Sequence, residues 1–475
     1  MTVGPNYEGV SAPPMEPTFY RQPAQTMPLL GHEASSLNWN LFGDATLTAL
    51  IEAALAGNPD VAELRWRIQE AGAVVQIIAG QKLPFADGVG GYERRKQSDN
   101  AQPFVGELAR PFNFVSVGVA SRWEIDLFGR IARETESAVA SYEVTEKDYQ
   151  DLQRVLAGEV ARAYVLLRLN QDLLHQNEMN LELQRNSVQR VADRIAAGKV
   201  GKLDSVQLQS RIGLTEADSP LFQQRIDLSV HQLALLTGQV PSFIFETLNS
   251  HGFQLTDAAI SPRIPAELLR RRPDIQARER EVAAACALIG VAEAEYYPRL
   301  SLLGTISFDS RQLNNLLDYD SLAFGLGPSL TWNILSLGRI EAQIDIRQAQ
   351  LQQSIARYRQ SVLVAVGEVE DALVTQQQQR RRLKVLQRTV KQASEAVDLA
   401  LEQYEADRAS LERVVSNQQR LLRASLELSL SRGELATASV NLFQAIGGQP
   451  TGGACNTCEL HVAGLCDQQM LQSRP

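Results

Sequence analysis

The stretch SRWEIDLFGR at 121–130 is answered by SLTWNILSLGR at 329–339. Each places a tryptophan at the end of an alternating apolar run and follows it with Gly-Arg and a long polar stretch of helical period. Trp123 and Trp332 lie about 210 residues apart, far beyond the ~20–50-residue periods of solenoids and propellers. The repeated unit is therefore a half-chain, and both halves must answer to one folding plan.

The rest of each half agrees. GNPDVAELRW from Gly57 matches RRPDIQARERE from Arg271, with Pro59-Asp60 answering Pro273-Asp274 and Pro84 answering Pro298. A Pro-Asp start suits a helix's first turn, where the amide lacks a partner and negative charge favours the dipole. Each helix then stops at a proline that opens an extended segment. There the period becomes two: Val115, Val117, Val119 and Trp123 alternate with Ser116, Gly118, Ala120 and Arg122. Leu300, Leu302, Ile306 and Phe308 alternate with Ser301, Thr305 and Ser307, and Phe324, Leu326, Leu330 and Trp332 with small and polar residues. These patterns predict half-buried strands. With the less regular FADGVGGYERR at 85–95, they give one hairpin per half, at about 84–123 and 299–333.

After Gly129-Arg130 and Gly338-Arg339 the helical period returns. Val160, Leu167, Leu174, Leu181, Val188 and Ile195 stand at seven-residue steps, as do Ile355, Val362, Val369 and, past Gln376, Leu383, Val390, Val397 and Tyr404. Sustained sevens mark a left-handed coiled-coil seam. The breaks at 196–204 and 405–413 imply outgoing helices of about 67 residues, roughly 100 Å long at ~1.5 Å per residue. The return helices, ending near Gly238 and Gly447, are about half as long. Together with the helix before the strands, each matches the length of the outgoing helix. The division expected is an extended Pro-rich arm over 1–40, repeats over 41–250 and 251–448, and a cysteine-bearing tail over 449–475.

Composition narrows the function. A net charge of −9 with no long Lys/Arg cluster argues against nucleic-acid binding, since phosphate neutralisation needs a basic face; the run QRRRLK at 379–384 reads as a solvated helix face. No stretch approaches the ~20 apolar residues of a spanning helix, so a membrane could be crossed only as a β-barrel. The opening MTVGPNYEG carries no signal peptide, leaving a cytoplasmic protein or a trimmed mature form. Cys455, Cys458 and Cys466 leave three readings open: a small metal site, a disulfide in an oxidising compartment, or an unimportant tail. The spacing fits no common zinc module, and neither metal nor cofactor is expected. No Walker loop, metalloprotease helix or nucleophile elbow is present, so no enzyme is expected.

Four strands cannot close a barrel, and open edges cannot face lipid. Several copies must share one barrel, in closed cyclic symmetry. At this point the residues carry a resemblance. The paired Pro-Asp helix starts, AEAEYYPRLSL, the two Trp…Gly-Arg segments and TVGPNYEG resemble the TolC-type outer-membrane factor family, and within it the lipoprotein branch serving resistance-nodulation-division efflux pumps. The likeness covers nearly the whole chain to about Gly448. It implies a mainly α fold with a β-barrel: a homotrimer whose outer-membrane barrel, four strands per chain, continues as a long periplasmic α-helical coiled-coil barrel. It also implies an exit duct for drugs or other small molecules, fed by an inner-membrane pump through a periplasmic adaptor (a membrane fusion protein), and contact with outer-membrane lipid. Met1 stands where lipoprotein members carry an acylated cysteine, so the resemblance implies a lipid anchor in the native form, with a misassigned start as the alternative. The alternatives are the exit of a type I-like protein secretion system and, from another class, a non-channel coiled-coil scaffold.

The resemblance also assigns sites. A periplasmic gate is expected at Asn417 and Arg420, with Tyr404 nearby and the neighbouring carboxylates Asp407, Glu405 and Glu402 read either as suppliers of the missing charge or as solvent-facing residues of a hairpin tip. The family's second return helix commonly starts L-D-A-Q-R; here VSNQQR puts Asn417 in place of the Asp and keeps Arg420, so a hydrogen bond can form but not the ion pair, and the gate is only partly carried over. Tyr404, which continues the seven-residue seam, reads first as core. The tips KVGKLD and RASLER resemble adaptor-docking ends: Gly198 and Gly201 for the reversal, Val200, Leu203 and Leu411 for exposed apolar contact beside Ser410. Trp123, Gly129, Trp332, Gly338, Pro84 and Pro298 form the expected joint between barrel and tunnel, with the indoles near the membrane interface.

Overall fold

The computed structural model describes residues 2–10, 39–96, 111–199, 201–248 and 270–448. Met1, Val200 and the tail cysteines lie outside them. The elements are α1 (Ala45–Gly57), α2 (Pro59–Gly80), β1 (Phe85–Arg95), β2 (Phe112–Ile125), α3 (Arg130–Ala196), α4 (Lys202–Thr237), α5 (Pro241–Leu248), α6 (Pro273–Glu293), β3 (Arg299–Ser310), β4 (Leu322–Thr331), α7 (Arg339–Glu405) and α8 (Leu411–Ala445). Both outgoing helices, α3 and α7, have 67 residues. No helix among the described residues is long and apolar enough to cross a membrane. The chain divides into two compact units, one of Met1–Ser11, Arg67–Glu146 and Ala277–Arg359, the other of the remaining segments.

In the first unit the strands form an antiparallel sheet in the order β1-β2-β3-β4. Register sorts its two faces, because residues directly opposite share a side. Val117 pairs with Phe308, Val119 with Ile306 and Ile306 with Phe324, giving one apolar face. Gly118 pairs with Ser307, Ser116 with Asp309 and Ala120 with Thr305, giving a small and polar face. The sequence pattern predicts half-buried strands, but Val117, Val119, Ile306, Phe324, Leu326 and Leu330 are exposed in the single chain. An apolar sheet face turned outward is the pattern of a barrel wall in lipid.

The hairpins are fastened alike. Trp123 Nε1 donates to the carbonyl of Lys82 and Trp332 Nε1 to that of Tyr296, both at 2.9 Å. Each acceptor lies two residues before the proline that opens the hairpin, Pro84 or Pro298. Gly129 and Gly338, at φ +80° and +79°, then turn the chain into α3 and α7. The first joint carries a strap: Arg133, 4% exposed, donates to the Val3 and Gly4 carbonyls and to Asn6 Oδ1. Val3 N–H donates to the Phe128 carbonyl at 3.1 Å.

In the second unit the seams run as the sevens predict. Val160, Leu167, Leu181, Val362, Val369, Val397 and Tyr404 are buried. Gln376, which interrupts the apolar run, is buried too and donates to Ser439 Oγ at 3.1 Å. The short helices meet end to end: Asn58 Nδ2 donates to the Leu236 carbonyl at 2.9 Å while its Oδ1 caps Asp60 N–H at 2.8 Å. In the second repeat Arg272 holds the corresponding place. It donates to the Ala445 carbonyl at 3.1 Å, to both oxygens of Asp274 and to Glu368. One connection is thus made by an amide in the first half and a buried guanidinium in the second.

Candidate functional site

The tips of the two helical hairpins, α3–α4 and α7–α8, come together in the second unit. Val191 of α3, Leu208 of α4, Ala400 and Tyr404 of α7 and Leu411, Val414 and Val415 of α8 form one buried cluster. Val188, Ile195, Ile212 and Leu401 pack at its margin.

The helix ends are built alike but not identically. Past α3, Gly198 takes φ +72° and Lys199 N–H closes onto the Arg194 carbonyl at 2.9 Å. Past α7, Asp407 takes φ +57° and Arg408 N–H closes onto the Gln403 carbonyl at 2.7 Å. This left-handed closing residue is usually glycine. An aspartate tolerates the conformation at a cost of roughly 1 kcal/mol. Here that residue puts a carboxylate at the tip.

Asp407 is gripped from the other hairpin. Lys199 Nζ lies 2.8 Å from its Oδ2, and Arg194 pairs with its Oδ1. Hydrogen bonds from Lys199 and Arg194 hold the Asp407 carboxyl below the usual carboxylate range. Arg190 pairs with Glu405. Arg194 also donates to the Tyr404 carbonyl at 2.5 Å, and its guanidinium stands 4.3 Å from the centre of the Tyr404 ring. Burial pushes the Tyr404 hydroxyl pKa up. One turn further into α8, Gln418 Nε2 donates to Ser187 Oγ at 2.9 Å, a buried link between the hairpins. The arrangement is an electrostatic clip over an apolar core. Among the described residues, no cluster of His, Cys, Asp and Glu fit for a metal ion appears.

Of the residues named from the sequence, Asp407, Glu405 and Tyr404 meet in the clip, Tyr404 as core. Glu402 and Arg420 are exposed, and Arg420 has no ion-pair partner among the described residues. Asn417 is half-buried and donates to the carbonyl of Arg413, four residues back on its own helix, at 2.9 Å. Among the described residues, the cations that pair with the tip carboxylates come from α3 and its tip: Arg190, Arg194 and Lys199. Sequence reasoning missed all three. The signal was available, because Asp407 stands 209 residues after Gly198, where the repeat calls for glycine.

Leu411 requires a correction. It is 7% exposed, since the first turn of α8 lays it into the tip cluster, and it offers no outward contact. Leu203, 67% exposed, and Val206 do. Gly201 and Ser410 precede α4 and α8 as N-caps without a side-chain capping bond.

Comparison with known proteins follows the same outline. The outer membrane efflux protein family model matches residues 50–239 and 264–448. Nodulation protein T of Rhizobium leguminosarum bv. trifolii is 30% identical over 92% of this chain and 90% of its own. The toluene efflux pump outer membrane protein TtgI of Pseudomonas putida is 28% identical over 86% of each chain. Among solved structures, the outer-membrane channel OprN superposes with a TM-score of 0.82 at 30% identity, covering 94% of this chain and 99% of that one. The chain therefore belongs to the outer membrane efflux protein family and is an outer-membrane channel, the exit duct of an efflux system.

Proposed function

We propose that three copies of the chain close one barrel and one helical tunnel, and that this duct passes small, largely apolar molecules, drugs among them. The observation that carries the reading is the sheet, with an outward apolar face, a small polar face and open edges at β1 and β4. Edges in lipid must be paired. Two copies would give eight strands, whose interior side chains nearly fill; three copies of four strands give twelve, with room for passage. A stripe on α4 supports the same reading. Leu214, Leu221, Leu228 and Leu235 stand exposed at seven-residue steps, a seam that lacks its neighbour in one chain.

The tips serve as gate and dock. The clip of Arg190, Arg194 and Lys199 with Glu405 and Asp407 holds the α7–α8 tip against the α3–α4 tip, and releasing it widens the mouth. Leu203 and Val206, beside Gly198 and Gly201, offer an adaptor its apolar contact, and a resistance-nodulation-division pump in the inner membrane loads the duct through that adaptor. Trp123 and Trp332 mark the joint at the membrane interface. The protein's work is passage, with no bond made or broken. The outer-membrane relative named for toluene efflux supports a small apolar cargo.

Export tests the reading. In a cell with such a pump and adaptor but without its own exit duct, the chain should restore tolerance to toluene. Unrestored tolerance, with the chain present in the outer membrane, would overturn it.

A further inference from the structure

The internal repeat exposes an unmatched contact. In the first joint Phe128, the residue before Gly129, stacks on Tyr297, the residue before Pro298, with ring centres 4.6 Å apart. This contact locks the end of the first hairpin to the start of the second, beside the β2–β3 pairing. Trp123, Phe128 and Gly129 correspond to Trp332, Leu337 and Gly338, 209 residues on. Pro298 and Tyr297 correspond to Pro84 and Leu83. The repeat therefore calls for a contact between Leu337 and Leu83, beside a β4–β1 pairing. Within one chain β4 and β1 are the two outer edges of the sheet, and both leucines are bare: Leu337 is 88% exposed and Leu83 66%.

Their surroundings match. Ile334 and Leu335 are exposed beside Leu337, and Ile77 and Phe85 beside Leu83. Leu337 also holds a left-handed backbone, φ +49°, which a branched side chain seldom adopts without a reason. The strand directions are right as well. β2 and β3 pair antiparallel, so the end of β2 meets the start of β3. In a barrel of even strand number β4 meets the next β1 in the same sense, and the end of β4 meets the start of that β1.

We infer that Leu337 of one copy packs on the partner subunit's Leu83, repeating between chains the Phe128–Tyr297 contact within the chain and sealing each subunit boundary at the joint. The inference rests on the shared barrel proposed above, and it fixes which residues meet there. The face it assigns is heterologous: each copy gives Leu337 to one neighbour and Leu83 to the other, so the contact closes only as a ring.

The test is cross-linking of the full chain in detergent, with its four cysteines replaced by serine. Leu83→Cys together with Leu337→Cys, treated with a short bis-maleimide, should give covalent trimers on a denaturing gel, while each single-cysteine variant should stay at the mass of one chain. Native mass is measured on the same samples. A trimer by mass without cross-linked species from the double variant refutes the contact and leaves the leucines to lipid, the shared barrel standing. A monomer from the serine background itself overturns the shared barrel instead. Should the double-cysteine chain alone fail to assemble, Leu337→Asp decides. It should lower the temperature at which the trimer dissociates, and adding Leu83→Arg should restore it; a trimer indifferent to both changes refutes the contact.

Discussion

Arg194 concentrates the clip, and replacing it by leucine separates its two local roles from its volume. Its guanidinium over the Tyr404 ring at 4.3 Å contributes about 1 kcal/mol, in the range for a partly desolvated cation–π pair. Its hydrogen bond to the Tyr404 carbonyl at 2.5 Å, from a charged donor, contributes roughly another 1.5 kcal/mol. The ion pair with Asp407 is left out of the sum, because that carboxylate is open to solvent. Arg194→Leu should therefore shift the balance between clipped and open tips by about 2–3 kcal/mol, roughly 30- to 150-fold. Single-channel recording in planar bilayers would show this as a rise in the fraction of time spent in the higher-conductance state. Tyr404→Phe keeps the ring and the carbonyl and should record like the parent. An Arg194→Leu channel with unaltered open time would refute the clip as the gate.

Acid should act on the same clip. The Asp407 carboxyl is held below its ordinary value, so its contribution is complete above about pH 4 and is lost as pH falls through the depressed value. Conductance should be level between pH 7 and 5 and climb below about 4, whereas Asp407→Asn should give the raised level throughout. Leu411→Ala removes a side chain from the tip cluster and should weaken it by about 2–4 kcal/mol, read as faster amide exchange in the first turns of α8. Leu203→Asp, on an exposed side chain, should leave exchange and assembly unchanged and abolish export; full export would remove Leu203 from docking. Trp332→Phe deletes the bond to the Tyr296 carbonyl and should cost about 1 kcal/mol, seen as a lower dissociation temperature, with Trp123→Phe costing a similar amount.

Much of the architecture was legible because long-range order here is written as period. The sevens of α3 and α7 name their own buried faces, and the twin Trp…Gly-Arg segments place both joints. The strand faces were read correctly as alternation and wrongly as half-buried, because period two records that two faces differ, not which solvent each meets. The tip was only partly legible. Asp407 and Glu405 belong to it, but their partners Arg190 and Arg194 lie more than 200 residues earlier, on a helix face where basic residues look like solvated surface. Leu411 was misread for a related reason: beside a turn, a leucine looks available for a partner, and only the packing of four helix ends shows that the tip has a core of its own.

The most direct measurement is single-channel conductance of the detergent-purified chain, with its mass determined on the same preparation. A species of three copies that opens discrete channels is expected. A single chain or a water-soluble species with no conductance would contradict it.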